Sequence, residues 1–123
     1  MTTKLQFASF ADPGDLEKER VIYRATSDVD VGSYAILRSK RSSEGGPISG
    51  SKIAYWFPDV EVKADDLVVV YTKRGTRKTR SLQRGNTAHF FYWGRDEAMW
   101  GKNSDFVAVL LLVAEWSSAD PTD

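Results

Sequence analysis

Four stretches in the first half of the chain alternate apolar and polar residues or are rich in β-branched and aromatic side chains. They are KLQFASF, ERVIYRA, GSYAILRS and KIAYWF, at residues 4–10, 19–25, 32–39 and 52–57. A period of two places successive side chains on opposite faces, so each stretch is predicted to be a β-strand. In the second stretch Val21 and Tyr23 share one face, and Ile22 and Arg24 the other, as in a sheet with one face toward water.

The second half of the chain contributes three further strand predictions. LVVVY at 67–71 and TAHFFY at 87–92 are short apolar runs, and FVAVLLLVAEW at 106–116 is apolar at both phases over most of its length. The last run predicts a strand covered on both sides, in the middle of a packed sandwich. The residues expected in the interior are Trp56, Val69, Tyr71, Phe91, Val107, Val109 and Leu111.

These elements predict an all-β fold. No segment of ten or more residues carries an apolar stripe of helical period. Short strands separated by turn signals favour an immunoglobulin-like antiparallel β-sandwich of about seven to nine strands. The 123 residues suffice for one core without disulfide or metal. We therefore expect a single domain at 4–116, with flexible tails at 1–3 and 117–123.

The order of several motifs resembles that of the lamin tail domain family, an immunoglobulin-like sandwich found in nuclear lamins and in many bacterial proteins. The motifs are ERVIY at 19–23, YAI at 34–36, WFPDVEVKADDLVVVY at 56–71 and WGKNSDFVAVL at 100–110. Asp65 and Ser104 stand where the family has glycine. Because glycine favours positive φ, these two differences predict turns of another type.

The resemblance has consequences for function as well as for fold. Its motifs are structural, so it supplies no catalytic residues. It implies interaction surfaces for proteins and for DNA. It also assigns Trp100 and Phe106 to the corner and the core of the sandwich, which makes the aromatic crowding in 89–116 mostly a matter of packing.

Composition narrows the possible chemistry. The chain has no cysteine, which excludes disulfides, thiolate zinc sites and cysteine nucleophiles. Seventeen cations balance seventeen anions, so the molecule as a whole does not demand a polyanionic partner or a membrane. The longest apolar run, 106–114, is shorter than a membrane span, and the N-terminus lacks the apolar core of a signal peptide. A soluble cytoplasmic protein is the simplest expectation.

His89 is the only histidine and therefore the only side chain suited to general base chemistry near neutral pH. A small hydrolase, or a hydrolase accessory domain, would place its site in loops near His89, Asp96, Glu97 and Asp105. No G-x-S-x-G motif accompanies the histidine, so a structural role is the favoured interpretation. One histidine without cysteine is a poor zinc-ligand set, and no metal site or cofactor is predicted.

The basic segment TKRGTRKTRSLQRGN at 72–86 is the strongest functional candidate. Its cations, with no acidic residue among them, are Lys73, Arg74, Arg77, Lys78, Arg80 and Arg84. Such a polar segment predicts a loop that projects from the sandwich, and its charge creates a strong local field. Two interpretations follow: a solvated loop, or a contact for nucleic acid, another polyanion or an acidic protein. The resulting hypothesis is a non-catalytic binding or scaffolding module that presents loops to another macromolecule.

Overall fold

A computed structural model describes residues 3–101 and 105–122. These residues form ten strands and a short 3-10 helix, Val31–Ser33. The strands are β1 (Leu5–Ala11), β2 (Arg20–Ala25), β3 (Val29–Asp30), β4 (Tyr34–Lys40), β5 (Ile53–Trp56), β6 (Glu61–Val62), β7 (Leu67–Tyr71), β8 (Lys78–Ser81), β9 (Thr87–Tyr92) and β10 (Phe106–Leu112).

The strands form two main sheets and a short pair. The five-stranded sheet has the order β1-β2-β7-β9-β8, the three-stranded sheet the order β10-β4-β5, and β3 pairs with β6. The predicted all-β sandwich is confirmed. Strand pairs are antiparallel except for β7 and β9, which run parallel because the chain passes through β8 between them. Strands lie between residues 5 and 112, within the predicted domain.

The hydrophobic core lies between the two main sheets. Alternate residues of β2, β7 and β9 point into it, including Val21, Tyr23, Val70 and Phe91. The three-stranded sheet contributes a buried residue such as Ile36 and a row of partly buried ones from β10: Phe106, Ala108, Leu110 and Leu112. Burial of this apolar surface is the main favourable term in folding.

The predicted interior set is mostly wrong, because two apolar strands take the opposite phase. Of that set, Phe91 lies in the central core. Trp56 is 51% exposed. The other five lie on outer faces of the sheets, since their neighbours in the strand face the core: Val69, Tyr71, Val107, Val109 and Leu111. Of these five, Val69 is still buried, in a second cluster on that outer face. An apolar residue at every position gives no signal of phase, and a shift by one exchanges the two faces.

The prediction that the last strand lies in the middle of a sandwich is also wrong. In the described part of the chain β10 pairs with β4 alone and forms an edge of the three-stranded sheet. One face of β10 packs on the core, whereas Leu111 on the other face is 45% exposed. The long apolar run therefore has one face partly buried against the core and an outer face on which Leu111 is exposed.

The basic segment is not the continuous loop that its composition predicts. Lys78–Ser81 forms β8, which pairs with β9 so that Lys78 lies opposite Phe90 and Arg80 opposite Ala88. All four residues of β8 are exposed. A strand at an edge needs no buried apolar face, and charged side chains protect such an edge from association.

The turn before β7 keeps a left-handed residue, contrary to the expectation that its loss of glycine changes the turn. Asp65 has φ of 76°. Asn86 donates a hydrogen bond of 2.7 Å to the backbone carbonyl of Asp65, and Arg24 and Arg84 form ion pairs with its carboxylate. These contacts hold an aspartate in a conformation that few other residues tolerate.

Some expectations fall on residues outside the described ranges. Ser104, in the second turn, lies there, as do residues 1–2 and 123 of the expected tails. Within 3–101 and 105–122, the structure contains no helix long and apolar enough to cross a membrane.

Candidate functional site

The outer face of the five-stranded sheet carries a small hydrophobic cluster of its own. Val69, Ala88 and Phe90 are buried there, and they pack with the partly buried residues Ile22, Leu67, Tyr71, Leu82 and Tyr92. The strands alternate between this cluster and the central core. No further layer of the described structure covers this face. The cluster is therefore buried by neighbouring side chains on the same face.

Three aromatic rings occupy the centre of this face. Tyr71 and Tyr92 are opposite each other in the parallel pairing of β7 with β9, and their rings stack with centroids 5.4 Å apart and an interplanar angle of 11°. The ring of Phe90 lies 6.3 Å from that of Tyr71. The parallel register therefore joins rings from two strands into one aromatic surface.

Four cationic side chains lie over these rings. The guanidinium of Arg20 and the ammonium of Lys73 are 5.5 Å and 5.2 Å from the Tyr71 ring centroid. Lys78 and Arg80 lie 5.9 Å and 5.4 Å from that of Phe90. Such cation–π contacts place charge over apolar surface while the side-chain stems cover it. We call this surface the basic face: Arg20, Tyr71, Lys73, Lys78, Arg80, Phe90 and Tyr92. It borders a groove of about 450 Å³.

The fold divides the predicted cations into two groups. Lys73, Lys78 and Arg80 meet on the basic face. The other three do not: Arg74 pairs with Asp96 at 3.0 Å, Arg84 pairs with Asp65 at 3.2 Å, and Arg77 lies 5.8 Å from the ring of Phe91, which faces the core. The linear sequence groups all six, whereas the β8 hairpin separates them.

The free charge of the basic face is concentrated on β8. Lys78 and Arg80 form no ion pair with any described residue, whereas Lys73 lies 3.8 Å from Glu17 and Arg20 lies 3.1 Å from Asp12. Exposed ion pairs of this kind are weak and readily exchanged, so they leave Arg20 and Lys73 able to contact an anion. The arrangement is one of positive charges above stacked rings, suited to a ligand that is both anionic and planar.

Sequence reasoning missed Arg20, Tyr71 and Tyr92 as members of the site. A signal existed for the arginine, because Arg20, Ile22 and Arg24 share one face of a predicted strand. The tyrosines gave no comparable signal. Each ends an apolar strand, and only the order of strands in the sheet brings them together.

His89 belongs to the interior and not to a surface site. It is 8% exposed, and its Nε2 lies 2.9 Å from the Asp66 carboxylate. That carboxylate also accepts hydrogen bonds from the backbone N–H groups of Lys63 and Thr87. Burial raises the pKa of Asp66, but these hydrogen bonds and His89 outweigh it and hold the pKa below its usual value. The pair therefore anchors the turn before β7 to β9.

The residues of the hydrolase hypothesis are not assembled. Asp96 pairs with Arg74, and neither a hydrogen bond nor an ion pair joins His89 to Asp96, Glu97 or Asp105 among the described residues. Within those residues, too, no group of three or more histidines, cysteines or carboxylates is placed to hold a metal ion.

A second buried carboxylate is Glu19, which begins the ERVIY motif but which the sequence does not mark as buried. It is fully buried and accepts hydrogen bonds from the Thr72 hydroxyl and from the backbone N–H groups of Gly14, Met99 and Trp100. Burial raises its pKa, but these donors together lower the pKa below its usual value. Every donor is a structural group, so Glu19 fastens the segment before β10 to the start of β2.

In comparisons with known proteins, the chain matches no protein-family model and no curated protein.

Proposed function

We propose that the protein is a non-catalytic binding module that holds a polyanion on the basic face. The observation that carries the proposal is the position of Lys78 and Arg80. Both lie over the ring of Phe90, and neither has an acidic partner among the described residues. Because the net charge of the chain is zero, these cations create a positive field that is local and does not follow from the overall composition.

Single-stranded nucleic acid is the polyanion that this face fits best. Its phosphates can contact the cations, and its unpaired bases can stack on exposed aromatic rings, as they do on the sheets of several single-strand-binding folds. Tyr71 and Tyr92 are partly exposed, and their rings stack on each other. A base would therefore add to the outside of this pair, displacing Arg20 or Lys73 from the Tyr71 ring toward the phosphates. A duplex hides its bases, so it could use the charges but not the tyrosines.

Two further observations support this proposal. The resemblance to lamin tail domains implies contacts with proteins and DNA, and we propose an immunoglobulin-like sandwich of that family as the framework. The non-catalytic part of the proposal is supported by His89, which is buried with Asp66 as its partner.

The test measures fluorescence anisotropy of labelled oligothymidine and of a duplex of equal length at two salt concentrations. If about three cations neutralise phosphates, the logarithm of the affinity for a single strand should fall with log salt at a slope of about −2. The variant Lys78→Ser/Arg80→Ser should weaken binding at least tenfold. The matched control Arg74→Ser/Arg77→Ser removes two charges from the same segment but away from the basic face, so it should bind nearly as wild type.

Tyr92→Ala tests the contribution of stacking. It should reduce the preference for single strands over duplex and leave the salt slope unchanged. Heparin and vesicles with anionic lipids form further arms of the experiment. Equal losses for both double variants, or salt-sensitive binding to heparin with none to oligothymidine, would contradict the proposed ligand.

A further inference from the structure

Two phenylalanines of β1 point toward the interior of the sandwich but are not covered there. A bulge at Ala8 shifts the register, so Phe7 lies opposite Tyr23 and Phe10 opposite Val21, both of which face the core. Phe7 is nevertheless 50% exposed and Phe10 36%. The five-stranded sheet therefore extends beyond the three-stranded sheet at this side, and no strand of the described residues lies above β1.

The uncovered space is an apolar cleft of about 670 Å³ between β1 and β10. Its apolar lining includes Leu5, Phe7, Phe10, Phe106, Ala108 and Leu110. The volume falls within the range of ligand sites, and the lining is predominantly hydrocarbon. A fourth strand placed beside β10 would occupy this cleft and cover β1.

The free edge of β10 is the one least protected against strand addition. β5 has only four residues, β8 carries Lys78 and Arg80, and β1 contains the bulge. Short length, charge and bulges are the usual devices that prevent edge association. β10 has seven residues, an uninterrupted register with β4, and neither charge nor proline.

We propose that a partner protein adds an extended, uncharged apolar segment as a strand along the free edge of β10, with alternate side chains filling the cleft. The β10 backbone would give affinity through main-chain hydrogen bonds, and Phe7 and Phe10 would select apolar side chains. This site is separate from the basic face and does not depend on the proposed polyanion.

The shape of the edge favours one added strand over a second copy of the chain. Antiparallel pairing of two β10 strands about a two-fold axis would bring the two projecting β1 strands into the same space. A loose apolar ligand fits less well, because it would bury the unpaired N–H and C=O groups of β10 without partners. A single peptide strand satisfies both constraints.

The test uses the 123-residue protein and, as probes, the fluorescent peptides KKVTVTVTVKK, KKLSLSLSLKK and KKFSFSFSFKK. Each tight binder is also made in two forms, one N-methylated at the apolar positions and one at the hydroxyl positions. Successive N–H groups of a strand point to opposite edges, so one form loses the donors that face β10 and the other keeps them. We expect one form to bind at least tenfold more weakly and the other to bind as the parent peptide does.

Variants locate the site. Phe7→Ser and Phe10→Ser should each weaken peptide binding severalfold, whereas Ile48→Ser, at an apolar residue exposed elsewhere, should not. Backbone amide exchange within 106–112 should slow when peptide is bound. Equal binding of parent and both N-methylated forms, no binding by any probe at millimolar concentration, or self-association of the protein that excludes peptide would overturn the proposal.

Discussion

The outer faces of the two main sheets both arise from the alternation of side chains along each strand. They differ in the kind of side chain that meets solvent. On the five-stranded sheet, Val69 and Phe90 are buried, and Lys78 and Arg80 lie over the Phe90 ring. On the described strands of the three-stranded sheet no charged side chain faces outward, and the residues that do are Ala35, Leu37, Ser39, Ala54, Trp56, Val107, Val109 and Leu111. Of these, Ala35 and Ser39 are buried, whereas Trp56 and Leu111 are exposed. Cations over apolar residues give the first face a positive local field, whereas the described residues of the second face carry no charge that would attract an anion.

The largest difference between the faces should appear on truncation of one aromatic residue from each. Phe90→Ala should lower the free energy of unfolding by about 3 kcal/mol, because a buried ring is replaced by a cavity. Trp56→Ala removes a larger but 51% exposed side chain and should cost about 1 kcal/mol or less. Urea unfolding monitored by far-ultraviolet circular dichroism measures both. Equal costs would show that the outer cluster of the five-stranded sheet is not packed as described.

The two phases of β10 allow a matched comparison within one strand. Leu110 packs on the core, so Leu110→Ala should cost about 2 kcal/mol. Leu111 points outward, so Leu111→Ala should cost less than about 1 kcal/mol. The same unfolding measurement applies. A larger cost for Leu111 would mean that the outer face of the three-stranded sheet is covered in solution.

The two buried carboxylates both belong to the five-stranded sheet, at the starts of β2 and β7. The pKa values of Glu19 and Asp66 are lowered in the folded protein, so both groups stabilise it above the unfolded pKa of about 4. That contribution is lost as the pH falls through the folded values. We expect stability to be nearly constant from pH 7 to pH 5 and to fall below about pH 4.

The substitution Glu19→Gln identifies the source of this acid sensitivity. It should lower stability at pH 7 and flatten the decline in acid, because one titrating group is removed. Asp96→Asn is the control: the ion pair with Arg74 also lowers the pKa of this carboxylate, but the pair is exposed and weak, so the profile should change much less. A profile for Glu19→Gln parallel to that of the wild type would contradict the role given to this residue.

The smallest effect on stability is expected at the cations that define the basic face. Lys78→Ser/Arg80→Ser should lower the free energy of unfolding by about 1 kcal/mol or less, since both side chains are exposed and lack ion pairs among the described residues, and only the cover that their stems give to Phe90 is lost. The measurement is made in the same urea titration. A cost near that of Phe90→Ala would indicate that these cations are structural and that any loss of binding reflects unfolding.

Most strands could be predicted from the sequence because their residues are typical of strands whatever the sheet order. β7 and β9 were predicted at their observed bounds, and β2 was predicted with its correct phase because Arg24 marks the face toward water. β10 and β7 have no such marker, so their phases were assigned wrongly. β8 is polar throughout and becomes a strand only because β9 offers it an edge.

The candidate site was predictable only in part for a related reason. Lys78 and Arg80 were identified from charge alone, but their separation from Arg74 and Arg77 depends on the β8 hairpin. The pairing of Tyr71 with Tyr92 depends on a parallel register between strands that are not consecutive in the chain. Neither the order of strands nor the register is contained in a local pattern of residues.

We propose that the polyanion binds one outer face of the sandwich and not the other. Two-dimensional amide nuclear magnetic resonance of the isotope-labelled protein during titration with oligothymidine locates the bound face. We predict chemical-shift changes concentrated at Arg20, Tyr71, Lys78, Phe90 and Tyr92 and their strand neighbours, with residues 107–111 nearly unchanged. Changes centred on the three-stranded sheet, or spread evenly over both outer faces, would contradict the account.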